Sequence, residues 1–332
     1  MEVQLIWGGA DQLTADVLVG PPHLLPRHKE GIPLSFATVG LKPEEARQAM
    51  ARALGRAVYL RPESIGILLP DLGRDLMEAA LEGAFLRAFG YRGMLQVAGK
   101  GTGLTAAFRE ALALSQAQNE ARQLDREPDL WPYLAQSKGI EIREKGIHVP
   151  PFPGEEKVGG PFLLVVEEGS PCRYTALGVA LGWRAYQIPQ PLWVVETKDP
   201  ETALRDWAGQ MAAVIYLAHR YESQELVGEG IAPFWTSHSF LGDRFLTAAA
   251  LAGEPAWPLP MPETDGKGAG GYARHLASLV KAPFLLLDLK ALNQKRDLPY
   301  HQGVSGWLGV GVRTLLRLGK LWQLGLQEGS QP

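Results

Sequence analysis

An α/β fold in two domains is predicted by three features of the sequence. Short apolar runs of strand length alternate with amphipathic stretches of helix length. The alternation occurs in both halves of the chain. A long amphipathic stretch followed by prolines lies between the halves. Residues 3–7 alternate with period two, as a half-buried strand does. Residues 16–20 form a short apolar run closed by glycine and two prolines, and 34–40 and 64–69 are further buried-strand candidates. Between them 42–54 is helical: Pro43 suits the first turn, and Glu44 and Glu45 suit the positive helix end. Residues 74–89 form a second helix, with apolar positions three and four apart.

The segment Gly99-Lys100-Gly101-Thr102-Gly103 is close to a phosphate loop but departs from its pattern. Position 94 is Met where Gly is required, and position 101 is Gly where Ser or Thr is required. It reads as a flexible connection. A long helix follows over 104–124, bounded by Pro128 and Pro132, and 148–154 reads as an irregular loop. Strands recur at 162–166, 192–196 and 284–288, and helices at 201–221, 243–251, 269–280 and 310–318. The domain boundaries that follow are 1–103, a linking helix and loop at 104–137, and 138–332.

Composition narrows the function classes. The chain has 332 residues, 46% hydrophobic and 21% charged, which suffices for two cores. A formal charge of -3 gives no electrostatic case for nucleic acid or an anionic membrane. No apolar run approaches the ~18 residues that cross a bilayer. Cys172 is the single cysteine, so no disulfide forms within the chain, and a cytoplasmic setting is expected. Met1 and Glu2 lead into the first strand pattern, which argues against a secretory leader. Asparagine occurs only at Asn119 and Asn293, and Arg outnumbers Lys, both trends of a heat-adapted source.

Several segments carry a resemblance. They are the helix Glu78-Ala-Ala-Leu-Glu-Gly-Ala-Phe-Leu-Arg-Ala-Phe89 with Tyr91-Arg92, and Asn119-Glu-Ala-Arg-Gln-Leu124 with Glu127-Pro128. The strand Phe162-Leu-Leu-Val-Val-Glu-Glu-Gly-Ser170 and the segment Gly253-Glu-Pro-Ala-Trp-Pro-Leu-Pro-Met261 follow. Ala269-Gly270-Gly271 with Phe284-Leu-Leu-Leu-Asp288, and Gly303-Val-Ser-Gly-Trp-Leu-Gly-Val-Gly-Val-Arg313, complete the series. In this order they resemble the leucyl aminopeptidase family (peptidase family M17), over most of 75–320 apart from the catalytic inserts. The resemblance implies a macro-like N-terminal α/β domain, an aminopeptidase-like mixed-sheet C-terminal domain that binds two divalent metals, and assembly as a homo-oligomer, commonly a hexamer.

The ligand motifs of that family are missing or rewritten. A dinuclear peptidase needs several carboxylates converging on two cations ~3.5–4 Å apart. After the strand at 192–196 the chain runs into Thr197-Lys198-Asp199-Pro200, with no glycine-rich loop. Lys198, Asp199 and, in the following helix, Asp206 are the weak remnant candidates for metal ligation. Asp199 before Pro200 also fits a helix N-cap. The Asp-Ala-Glu-Gly-Arg motif has no counterpart: taking Arg244 as its Arg puts Phe240 and Gly242 at the two acids. His219 and Glu222, three apart and read as lying on one helix, are a further metal pair to weigh. His238, His275, His301 and the acidic segment 263–267 lack spaced partners.

The resulting expectation is a leucyl-aminopeptidase-like protein without the dinuclear site, acting as a non-catalytic binding or assembly subunit. No cofactor is expected. The alternative is an active metal-dependent aminopeptidase with a rebuilt or mononuclear site, which would take Zn or Mn. A homo-oligomer and a peptide or amino-acid ligand are the expected partners, with neither nucleic acid nor membrane. Trp307 and Trp322, near the terminal helix, are the suspected interface residues. A third class, a nucleotide-type ligand on the macro-like domain, rests on fold analogy alone.

Overall fold

The structure, a computed structural model, describes residues 2–7, 12–21, 23–25, 32–35, 42–152, 160–207, 209, 211–220, 222–263, 268–294 and 296–328. The chain divides into two compact units: Met1–Gln116 with Asp297–Gly303, and Ala117–Arg296 with Val304–Pro332.

In the first unit the elements are β1 (Glu2–Trp7), β2 (Val17–Gly20), β3 (Ile32–Ser35), α1 (Pro43–Tyr59), β4 (Ser64–Leu69), α2 (Arg74–Arg87), β5 (Met94–Gly99) and the start of α3 (Leu104–Arg126). The sheet order is β1-β5-β4-β2-β3 and every pairing is parallel. Alternation sorts the strand side chains to two faces. Val17, Val19, Ile65, Ile67, Leu95 and Val97 pack with the helices. Leu18, Leu68 and Ala98 pack with Leu13 on the other face. The α1 start is secured by the Lys42 N–H donating to the Glu45 carboxylate at 2.8 Å. α1 and α2 cross closely because Gly83 has no side chain: a Cβ there would lie 2.0 Å from the Arg47 carbonyl oxygen. The residues at 34–40 expected as a strand are represented by Ile32–Ser35, and 36–40 lie outside the described residues.

The second unit contains α4 (Trp131–Ser137), β6 (Glu141–Arg143), β7 (Gly146–Val149), β8 (Phe162–Glu167), α5 (Cys172–Ala185), β9 (Leu192–Thr197), α6 (Pro200–Trp207), β10 (Ala213–Ala218) and α7 (Glu222–Val227). Next come β11 (Ala232–Thr236), α8 (Ser239–Ala252), β12 (Ala256–Pro258), α9 (Ala269–Ser278), β13 (Phe284–Asp288), α10 (Lys290–Asn293) and α11 (Val312–Glu328). Its mixed sheet has the order β12-β11-β13-β10-β8-β9-β7-β6. The four central strands β13, β10, β8 and β9 run parallel, while β7 and β11 flank them antiparallel.

Two expectations fail here. The single helix at 201–221 is α6 followed by β10. All six residues of β10 are buried, because a strand central to a two-layered sheet reads as a continuous apolar run, and its spacing mimics a helix. His219 and Glu222 therefore do not share a helix: His219 follows β10 and Glu222 begins α7. Trp307 and Trp322 are not surface residues, being 3% and 5% exposed. The Trp307 indole N–H donates to the Thr175 hydroxyl at 2.9 Å, and Trp322 packs edge-on to Phe162.

Candidate functional site

The connection from β8 runs through α5 on one face of the sheet to β9. The return runs through α6 on the other face, past β8, to β10. Phe162 of β8 meets Trp183 of α5, while its neighbour Leu163 shares a cluster with Leu204 of α6. The strand order thus reverses between β8 and β10. In open α/β sheets the carboxyl ends of the strands at such a reversal form the ligand crevice.

A polar network occupies this place. Glu167, ending β8, accepts from the Tyr216 hydroxyl at 2.5 Å and from Arg220 Nη2 at 3.0 Å. The Arg220 guanidinium lies 4.1 Å from the centre of the Tyr272 ring of α9. Asp288, ending β13 and 1% exposed, accepts from the backbone N–H of Arg220 at 3.2 Å and of Lys290 at 3.0 Å. On β9, Glu196 accepts from the Gly169 N–H at 3.3 Å and pairs with Arg173 at 3.5 Å. The Cys172 thiol donates to the Ala218 carbonyl at 3.2 Å.

Burial and neighbouring charges shift several groups here. Burial pushes the Tyr216 phenol up, and its hydrogen bond to Glu167 adds to that, so it stays a donor. Burial opposes the Arg220 charge, but the Tyr216 and Glu167 oxygens outweigh it and hold its pKa above the ordinary value. Burial lowers the His219 pKa, against the pull of Asp288. The Cys172 thiol is pushed far up by burial, with Asp288 and Glu167 adding. The thiolate is the reactive form, so Cys172 is expected to resist a thiol reagent at pH 8 in the native protein and to react once denatured. Stoichiometric native labelling within minutes would contradict this.

The sequence candidates lie elsewhere. Lys198 Nζ sits 3.4 Å from Glu168, with both side chains largely exposed. Asp199 caps α6: one oxygen accepts from the Thr202 N–H at 3.1 Å and the other from its hydroxyl at 2.7 Å. Those bonds hold the Asp199 carboxyl below the usual range. Asp206 belongs to the last turn of the same helix. It shares with Asp199, Lys145, Thr197, Thr202 and Trp207 an open hollow of about 410 Å³, while Lys198 is not part of its wall. His238 stands at the start of α8, and His275 pairs with Glu201 at 3.1 Å. His301 is buried, and 264–267 lie outside the described residues. Among the described residues no group of three or more His, Cys, Asp and Glu is placed to hold a metal ion.

Sequence reasoning missed Glu167, Tyr216, Arg220, Tyr272 and Asp288. The signal was the run at 213–218: read as a strand, it puts Tyr216 and Arg220 at a strand end beside β8 and β13.

No protein-family model matches the sequence, and no curated relative matches it. Solved structures do. The bottromycin maturation enzyme BotP has a TM-score of 0.71 at 15% identity, covering 93% of this chain and 100% of that one. BotP in complex with Mn gives 0.70 at 16% identity, with the same coverage of 93% and 100%. A point mutant of tomato leucine aminopeptidase gives 0.73 at 15% identity, covering 96% of both chains. The chain has the leucine aminopeptidase fold. That is the fold implied by the ordered segments, and at this identity the likeness is one of fold alone.

Two of those segments meet inside the leucine aminopeptidase fold of this chain. Glu254, of the Gly253-Glu-Pro-Ala-Trp segment, accepts from the Gly311 N–H at 3.1 Å and the Thr314 hydroxyl at 2.5 Å, and Arg313 approaches it to 3.7 Å. These residues form a buried packing clasp. Among the described residues no helix is long and apolar enough to cross a membrane.

Proposed function

We propose that this chain is a leucine aminopeptidase-like protein that does not hold a dinuclear metal site and acts as a non-catalytic binding or assembly subunit. The observation that carries this reading is the Glu167–Arg220 pair at the sheet reversal. A guanidinium fixed among the carboxylates supplies the positive charge that a divalent cation would otherwise bring. Glu196 has a looser pair with Arg173 at 3.5 Å, and Asp288 is engaged by backbone N–H groups. A bound cation would have to displace these donors, and two cations would find too few free anions. The residues present therefore do not fit the paired metals of the resembled family.

The test is metal analysis. The protein is chelated, reloaded separately with Mn²⁺ and Zn²⁺ at micromolar levels, and desalted. Metal well below one equivalent, with no hydrolysis of leucine p-nitroanilide above that of the D206A variant, is the expected result. Stoichiometric retention with hydrolysis that D206A abolishes would instead establish a working mononuclear enzyme around Asp199 and Asp206, with Lys198 nearby.

The assembly role draws support from Trp257, 58% exposed on the edge strand β12. An edge strand carrying an indole this exposed among the described residues is a surface that association covers. Light scattering is expected to give a homo-oligomer; a monomer mass at micromolar concentration removes this half of the reading.

A further inference from the structure

We propose that a hollow in the second unit, between the 3-10 turn Pro128–Leu130, α4 and the start of α5, binds a free apolar α-amino acid. The hollow lies apart from the Glu167–Arg220 pair but shares Arg173 with the strand ends, where Arg173 pairs with Glu196; Asp129 belongs to the hollow alone.

Its volume is about 230 Å³. That is below the usual range of drug-sized pockets and suits a molecule the size of leucine or phenylalanine better than a dipeptide. Leu124 and Leu177 are buried in its wall, and the half-buried rings of Trp131 and Tyr174 extend the apolar surface. The two charged groups on the wall are of opposite sign, Asp129 and Arg173. An anion alone would meet Asp129, and a cation alone would meet Arg173. A zwitterion with an apolar side chain matches both charges and the rings together.

Arg173 has donor capacity to give. Its pair with Glu196 is loose, 3.5 Å, with side chains 41% and 30% exposed. Its Nε is buried without a hydrogen-bond partner, so a ligand would meet the Nη end of the guanidinium. The guanidinium fork suits a carboxylate, and proximity to the Tyr174 ring, 5.8 Å away, restrains its plane. The exposed Asp129 carboxylate takes the ammonium group.

Calorimetric titration of the full chain tests the assignment, with L-leucine and L-phenylalanine as probes. Leucine lacking its ammonium group (4-methylpentanoate), leucine lacking its carboxylate (3-methylbutylamine) and L-leucyl-L-leucine serve as comparisons. Both amino acids should bind, and all three comparison compounds should bind at least tenfold more weakly. R173M and D129N, with unchanged melting temperatures at these partly exposed positions, should each weaken leucine at least tenfold. The proposal is overturned by absence of leucine binding at millimolar concentration, or by a comparison compound binding as well as leucine. It is also overturned if either variant binds leucine like the parent chain, which would put the amino acid elsewhere, including at the strand ends. Metal content of the same samples reports separately on the reading of the strand ends.

Discussion

Replacing Glu82 by alanine is expected to cost about 3–5 kcal/mol of stability, the cost of leaving one partner of a buried ion pair alone. Arg47 and Glu82 are both 0% exposed in their side chains and meet at 3.0 Å between α1 and α2. The helices cannot slide apart to hydrate the orphaned guanidinium without disturbing the contact at Gly83, where the α1 backbone lies against α2. Glu44 also pairs with Arg47 but is partly exposed, so it compensates only in part. Chemical denaturation of E82A, R47M and the double variant R47M/E82M is the measurement. The double variant should recover most of the loss, because two apolar side chains of similar length need no counter-charge. A single-variant cost under about 1 kcal/mol, or a double variant no better than E82A, would show that the pair is not the source of the stability.

The second large effect is expected at Glu254. Glu254→Ala should cost about 2–4 kcal/mol, since it strips acceptors from a buried N–H and a buried hydroxyl and leaves Arg313 without its nearest carboxylate. The side chains involved, Glu254, Arg313 and Thr314, are 4%, 0% and 2% exposed. Glu254→Gln keeps an acceptor and should cost less. Thermal melts should rank parent above E254Q above E254A, and amide exchange at Gly311 should quicken in the same order. Equal melts for the two variants would assign the clasp to packing rather than to hydrogen bonding.

This clasp shows what the sequence made legible. Gly253-Glu254 and the closing 303–313 segment were readable because each has a fixed local job. Gly253 ends α8 at φ 65°, and Gly309 and Gly311 turn at φ 68° and 82°. The strands with uniformly apolar residues and the helix ends marked by Pro43 and Asp199 were readable for the same reason. The crevice was not. Its members come from four separate elements: Glu167 from β8, Tyr216 and Arg220 from β10 and just beyond, Tyr272 from α9 and Asp288 from β13. No spacing links them, and the one strand that would have aligned them was hidden in a helix-like pattern. Likewise β6, β7, β11 and β12 are short, and single-sequence periodicity gives them little weight.

The composition of the first unit has a consequence for synthesis. Residues 297–303 belong to it, and there Tyr300 is buried against Ala51 and Leu86 and donates to Glu44 at 3.0 Å. A nascent chain stopped after α3 lacks that plug. The first unit can finish folding only once residues 297–303 have been made, and until then a patch on α1 and α2 stays open to chaperones.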